Sequence, residues 1–492
     1  MKKLVTLVLA LALVLGCFNI ASAETDVTKI TWAMGCGSTA PVDNAKFLEW
    51  YNQYLAEKIG VELDMQYFTN DQLQLAINAG ELFDIYFTCS WYNNTNQCIS
   101  KGLFLGLSQD YIKEVAPGLY DAMSKDVWDL AESADGLIYA IPNKNDYAAE
   151  NFITYPADKA TELGYEIPAK IEAWSDLTDF LVDWKETLAD GEYPVLVGGN
   201  PAGMESSFDF IDRTAMIGCV YGTTEVVSVF EDEEVMERYR TMYDWMQKGL
   251  VNPDAAQLSE SAIDSSKPHI GFAQAWDSYD GYTISNGYTT WMTRYAGPML
   301  SVDSVQGSMN AVSAALANDE DKLDKVLALF ELLHTDKYAA DCLRYGIEGV
   351  HWNYITEGPC AGAVLRTQEG SDNYSCWAFA QPMYFFTSLP VSAAQVEAGI
   401  APAFDQYEIY YGVVADEAVP SAMGSFKWDS SAFTDQLAEI SAIKESYYTS
   451  FASGTVLIDD IYDEFIEKMN AAGLQDMIED AQRQLDEYLA NN

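Results

Sequence analysis

The residues of this 492-residue chain best suited to chemistry are aromatic and polar neighbours placed just past runs that read as strands. Trp91 and Tyr92, with Asn93 and Asn94 beside them, follow the apolar run 83–88. Trp276 and Asp277 follow the run 269–275, and Ser38 closes a loop, Gly35-Cys36-Gly37-Ser38, after the run 28–34. Trp377 and Tyr384 lie in a stretch, 370–387, that is dense in aromatics and poor in helical periodicity. An indole or phenol face covers apolar C–H surface, and a carboxylate, amide or hydroxyl satisfies a hydroxyl taken out of water. Such pairs recognise a solute with apolar faces and many hydroxyls.

Motifs for bond-breaking are missing. The three histidines, His269, His334 and His351, show no His-Glu-x-x-His spacing, and no Gly-x-Ser-x-Gly elbow is present. The loop Gly198–Gly203 lacks the Gly-Lys-Ser/Thr ending of a phosphate loop and reads as a turn. With 75 Asp and Glu, carboxylate pairs are inevitable, but no motif singles out a glycosidase dyad. We expect no catalytic residue, no metal and no cofactor. A secreted carbohydrate-active enzyme and a peptide or amino-acid receptor stand as the alternatives to a sugar receptor.

The first residues read as an export signal. Lys2 and Lys3 precede an apolar run, Leu4 to Gly16, too short to span a bilayer. Ala21-Ser22-Ala23 is a small-x-small cleavage site that would leave Glu24 first. Val14-Leu15-Gly16-Cys17 resembles a lipobox that would lipidate Cys17, although Phe18 is not the small residue usual after the cysteine. Either exit predicts a secreted, extracytoplasmic protein of the cell envelope, attached to membrane only through a lipid. The 27 basic and 75 acidic residues give a net charge of −48, which disfavours nucleic acid and anionic membrane as partners. The eight cysteines contain no Cys-x-x-Cys pair and read mostly as buried thiols; Cys360 and Cys376 are the pair that a disulfide would join.

The elements that must position these residues alternate. A strand at 28–34, a helix at 43–59 carrying Phe47, Tyr51, Leu55 and Ile59, a strand at 61–68, a helix at 70–79 and a strand at 83–88 form a βαβαβ pattern. In a parallel sheet of this kind, ligands sit beyond the carboxyl ends of strands, so loops 35–40 and 89–93 are the expected binding edges. The polar segment Asn143-Lys144-Asn145-Asp146 suits a hinge. Beyond it we expect a helix capped by Ser175, a buried strand at 194–197, a helix at 231–248, a strand at 269–275, a short strand near 299–302 and a helix through Leu323–Leu333. Trp184 and Trp245 fall on helical core faces. Two helices close the chain, separated at Gly473.

Several segments resemble the family 1 extracellular solute-binding proteins of bacterial sugar ABC transporters, especially the long LplA-like lipoproteins. They are Asn78-Ala79-Gly80-Glu81-Leu82-Phe83-Asp84-Ile85-Tyr86, Asp135-Gly136-Leu137-Ile138-Tyr139-Ala140-Ile141-Pro142, Gly249-Leu250-Val251-Asn252-Pro253-Asp254, Tyr345–Trp352, and the terminal stretch Ala471–Tyr488. The resemblance implies an α/β, two-lobed periplasmic-binding-protein-like fold (type II), hinge-connected, with a helical C-terminal extension. It implies lobe 1 at 24–145 and 300–352, and lobe 2 at 146–299 and 353–492. It also implies a monomer that binds carbohydrate and meets ABC permease subunits. Glu348 and Trp352, in one of the matching segments, join Ser38, Trp91, Tyr92, Trp276, Asp277 and Trp377 as expected ligand contacts, and His351 is a further possibility for the cleft.

Overall fold

The computed structural model describes residues 27–491 apart from 36–38, 90–91, 134, 145–146, 167–169, 200, 202, 259–261, 265, 275–287, 289, 377–386, 400, 403 and 405–416. Two hydrophobic cores organise the described residues. The first runs from Ile30 to Tyr147 and resumes from Val305 to Cys376; the second runs from Ile153 to Ala296 and resumes from Met423 to Leu485.

The first core surrounds a five-stranded sheet in the order β2-β1-β3-β11-β4: β1 (Thr28–Met34), β2 (Val61–Tyr67), β3 (Ile85–Thr88), β4 (Ile141–Pro142) and β11 (Met309–Val312). β1 pairs parallel with β2 and β3, while β11 runs antiparallel to β3 and β4. The helix Asn44–Ile59 buries Phe47, Tyr51 and Leu55, one residue per turn, and stops at Gly60, whose φ of 68° only glycine adopts cheaply. The helix Asn70–Asn78 starts on a capping box between Thr69 and Gln72. Asp84, the acid of the Gly-x-x-x-Asp-Ile turn, ties the sheet to its cover. Its Oδ2 accepts from the Thr31 amide (2.7 Å) and hydroxyl (2.8 Å), and its Oδ1 pairs with Lys322 at 2.8 Å.

The second core lies beneath two sheets. One is β15-β10-β5-β9, with β5 (Ala149–Pro156), β9 (Gly271–Gln274), β10 (Thr290–Leu300) and β15 (Val419–Pro420); the other is β6 (Phe208–Asp212), β7 (Ile217–Val220) and β8 (Val226–Ser228). Trp184 and Trp245 are fully buried, as their helical spacing predicts. The terminal helices Thr434–Ala452, Ile458–Ala471 and Leu474–Asn491 belong to this core through Phe451, Phe465, Met469, Met477 and Leu485. Gly454 lets the first of these helices approach the helix Glu233–Gln247, because a Cβ there would stand 2.3 Å from the Met242 carbonyl.

Some local expectations change. Ser175 does not cap a helix: Trp174–Leu177 is a 3₁₀ turn in which Asp176 bonds the Ala173 amide, and the α-helix is Thr178–Lys185. The expected strand at 194–197 reduces to bridges from Val195 to Val251 and Ile270. The short strand at 299–302 is the end of the eleven-residue β10. Residues 353–376 pack with the first lobe, not the second. There β12 (Trp352–Tyr354) pairs with β13 (Val364–Arg366), which pairs with β14 (Pro390–Val391), and Val364, Tyr374 and Cys376 join the first core. The chain therefore passes between the cores at 143–149, near 296–305, and between Val391 and Val419. Among the described residues Cys89, Cys98, Cys219, Cys342, Cys360 and Cys376 are buried, and no helix is long and apolar enough to cross a membrane.

Candidate ligand-binding cleft

The connection β1–β2 leaves β1 on one side, and β2–β3 returns to pair on the other. The loops after β1 and β3 therefore diverge at a topological switch point, where open sheets of this kind open a crevice. These are the expected loops 35–40 and 89–93, and the fold brings them together. A Cβ at Gly35 would stand 2.5 Å from Phe87 Cδ1 and 3.2 Å from the Tyr92 ring, so only glycine fits there. The second loop is held by Asn93, buried at φ 43°. Its amide donates to Asn70 Oδ1 (2.9 Å), its side-chain nitrogen donates to the Phe87 carbonyl (3.2 Å), and its Oδ1 accepts from Gln74 (3.0 Å). Asn is one of the few non-glycine residues that tolerate this left-handed geometry. The loop is thus stiffened next to Trp91.

Of the expected contacts, Ser38, Trp91, Trp276, Asp277 and Trp377 lie outside the described residues, as do Cys17 and the cleavage site. Three others are placed, and two of them, Tyr92 and Trp352, are buried. Tyr92 is 4% exposed; its ring packs on Phe87 and its hydroxyl donates to the Phe68 carbonyl at 3.0 Å. It props the loop from beneath. Trp352 is 0% exposed, its Nε1 donates to the Gly346 carbonyl at 2.7 Å, and its ring meets Tyr354 edge-on at 4.8 Å. It is core of the first lobe. Glu348 is exposed and accepts from the Tyr338 hydroxyl at 3.1 Å.

His351 is buried and structural. Its Nδ1 accepts from the Ile347 amide at 3.0 Å, so the neutral ring carries its proton on Nε2 and donates to Asp43 Oδ2 at 3.0 Å. That hydrogen bond is the main reason Asp43 sits below the ordinary carboxylate range. Asp43, His351 and Glu369 bring ligating atoms within 4.8 Å of one another. The arrangement is nevertheless a poor metal site: Nε2 is protonated, and the Lys46 ammonium already stands 3.5 Å from Asp43 and 2.9 Å from Glu369. His334 is buried too. Its Nδ1 donates to the Phe330 carbonyl at 2.7 Å, and burial pushes its pKa down to about 4.

The hinge contains residues that sequence reasoning passed over. Asn310, 1% exposed in the otherwise apolar β11, accepts from Trp32 Nε1 (3.0 Å) and donates to Asn143 Oδ1 (3.0 Å). Asn143 in turn bonds the Ser308 carbonyl and hydroxyl at 3.1 Å each. The signal for Asn310 was available: a lone amide inside Met309-Asn310-Ala311-Val312 must find a partner. On the other side, β5 and β10 pair from Thr290–Pro156 to Met299–Ala149, and Arg294 bonds Glu150 at 2.7 Å. The first two of the three crossings are therefore zipped at both ends. In the first lobe this is done by β4 with β11, and in the second by β5 with β10. Two bodies on such a joint can open and close.

Known proteins share this construction. A domain of unknown function, DUF3502, matches residues 422–490, the C-terminal helical segment. A carbohydrate ABC transporter substrate-binding protein of Streptococcus pneumoniae serotype 4 (strain ATCC BAA-334 / TIGR4) is 21% identical over 455 residues, covering 89% of this chain and 87% of that protein. The N-glycan transport solute-binding protein NgtS of S. pneumoniae superposes with a TM-score of 0.77 at 18% identity, covering 94% of this chain and 99% of that one. Its complexes with Man5GlcNAc and Man1GlcNAc give 0.69 and 0.71. An HMO-binding, ABC-transporter-associated solute-binding protein of Bifidobacterium longum infantis gives 0.62 at 17% identity, covering 94% and 99%. By fold the chain is similar to these solute-binding proteins, and along nearly its whole length it is similar in sequence to a carbohydrate ABC transporter substrate-binding protein.

Proposed function

We propose that the chain is the receptor of a carbohydrate ABC importer: it takes a sugar or oligosaccharide between its lobes, closes on it, and hands it unaltered to the permease outside the cytoplasm. The observation that carries this reading is one of conjunction. Two cores on a paired double crossing occur in a chain similar over 89% of its length to a carbohydrate ABC transporter substrate-binding protein.

The ligand contacts we assign, from the sequence, are Trp91, Ser38, Trp276, Asp277 and Trp377, which lie outside the described residues. Indole stacking and hydrogen bonds of roughly 1–3 kcal/mol each would give micromolar affinity, about −8 kcal/mol, after the cost of ordering. A net charge of −48 favours a neutral glycan over a uronate-rich one. The protein acts as a monomer, held at the membrane by a lipid on Cys17 or released after Ala23.

Thermal-shift titration against neutral mannose- and N-acetylglucosamine-containing oligosaccharides, fructans and a peptide panel tests this, with mass spectrometry of any glycan that binds. A saturable rise following RT ln(1 + [L]/Kd) with intact ligand recovered is the expected result. Cleaved product, or binding confined to peptides, overturns it.

A further inference from the structure

Where the second crossing enters the first lobe, the short helix Val302–Val305 seats on the helix Lys125–Ala131, and Gln306 donates to the Leu130 carbonyl at 2.9 Å. Arg213, in the turn between β6 and β7 of the second lobe, reaches across to Asp303 of that short helix. Its Nε and a terminal nitrogen stand 2.7 and 2.6 Å from Asp303 Oδ2. The guanidinium lies over the Phe210 ring, 4.0 Å from its centre, and the Arg213 carbonyl accepts from Lys444 of the C-terminal helices at 2.7 Å. One arginine thus links the C-terminal segment, β6 and the crossing.

Beside it on β6 stands Asp209, 5% exposed, whose Oδ2 has no hydrogen-bond partner among the described residues. A buried carboxylate oxygen left bare is costly, so it calls for an explanation. Burial pushes the Asp209 pKa up to about 6, against a hydrogen bond from the Ser421 side chain; Asp303 adds a smaller upward push and Arg213 a smaller downward one, so the acid senses both members of the neighbouring ion pair. Asp209 and Arg213 ride on the second lobe, whereas Asp303 is docked on the first. The Arg213 side chain is 57% exposed and has room to turn.

We propose that Arg213 is an exchangeable hinge latch: it binds Asp303 in this arrangement of the lobes and passes to Asp209 when the second lobe swings away. Each arrangement then keeps one ion pair, and neither strands the guanidinium. Lys444 steadies the turn from behind, which gives the C-terminal helices a part in setting lobe position.

The test uses the full chain without ligand, spin-labelled at one introduced surface cysteine on each lobe, and reads the interlobe distance distribution by double electron–electron resonance. Asp303→Asn is expected to enrich the swung arrangement roughly two- to fivefold, the range of a partly exposed ion pair, and Asp209→Asn to deplete it by a similar factor. In an Arg213→Gln background neither asparagine should add a change. Shifts in the same direction, no shift, or shifts that persist without Arg213 overturn the latch. A variant that loses its folded melting transition is replaced by the serine at the same position. No sugar enters the measurement, so its outcome is independent of the receptor reading.

Discussion

Replacing Trp352 separates a core role from a ligand-contacting one. The indole is fully buried among Tyr338, Tyr345 and Tyr354 and satisfies the Gly346 carbonyl. Truncation to alanine removes a large packed ring, at about 3–5 kcal/mol, and leaves that carbonyl without its donor, at roughly 1 kcal/mol more. For a lobe of this size each kcal/mol moves the melting point by about 2–4 °C, so Trp352→Ala should lower it by about 8–24 °C. Trp352→Phe keeps a ring, loses the N–H, and should lower it by roughly 3–10 °C. Calorimetric melting of the parent and both variants, beside glycan titration of Trp352→Phe, reads the two quantities apart. The core placement requires a lower melting point with affinity held within about twofold of the parent's. A Trp352→Phe protein that melts like the parent yet binds about tenfold more weakly would refute it.

Trp91→Ala and Trp276→Ala should behave in the opposite way, weakening glycan binding by about ten- to thirtyfold in calorimetric titration with melting almost unchanged. Asp209→Asn should stabilise the protein near neutrality. The folded carboxyl titrates at about 6, above its ordinary 3.8, so the folded state holds the extra proton between those values and loses stability as pH rises through them. The gain from asparagine is then largest above pH 6, on the order of 2–3 kcal/mol at most, and vanishes below pH 4. Urea melts at pH 3.5 and 7.5 check it, and an equal gain at both would count against the buried acid.

How far the sequence speaks can be judged from particular residues. The βαβαβ start was legible because period-2 and period-3.6 patterns are local, and the Asp84 turn through its resemblance to a family motif, whose acid the structure shows bonded to Thr31 and Lys322. Tyr92 misled because a place after a strand says nothing about which side of the sheet a ring enters, and Trp352 because a matching segment does not say which way its ring faces. Trp352 itself opens β12, where pairing to Arg366 turns it inward. That same pairing assigns 353–376 to the first lobe. No local periodicity announces it, since it rests on contacts made by short strands and irregular chain. Asn143 and Asn310 were individually visible, but their meeting depends on β4 lying beside β11.

The zipped double crossing has a mechanical corollary. A single strand between two bodies permits bending and twisting alike, whereas two strands side by side behave like a strap, compliant across its face and stiff against torsion. With Asn143 and Asn310 fastening one end and β5 with β10 the other, the free play is confined to a few residues in each strand. These two crossings by themselves favour a swing about one axis, and the third, which joins β10 at Val419–Pro420, lies beside them.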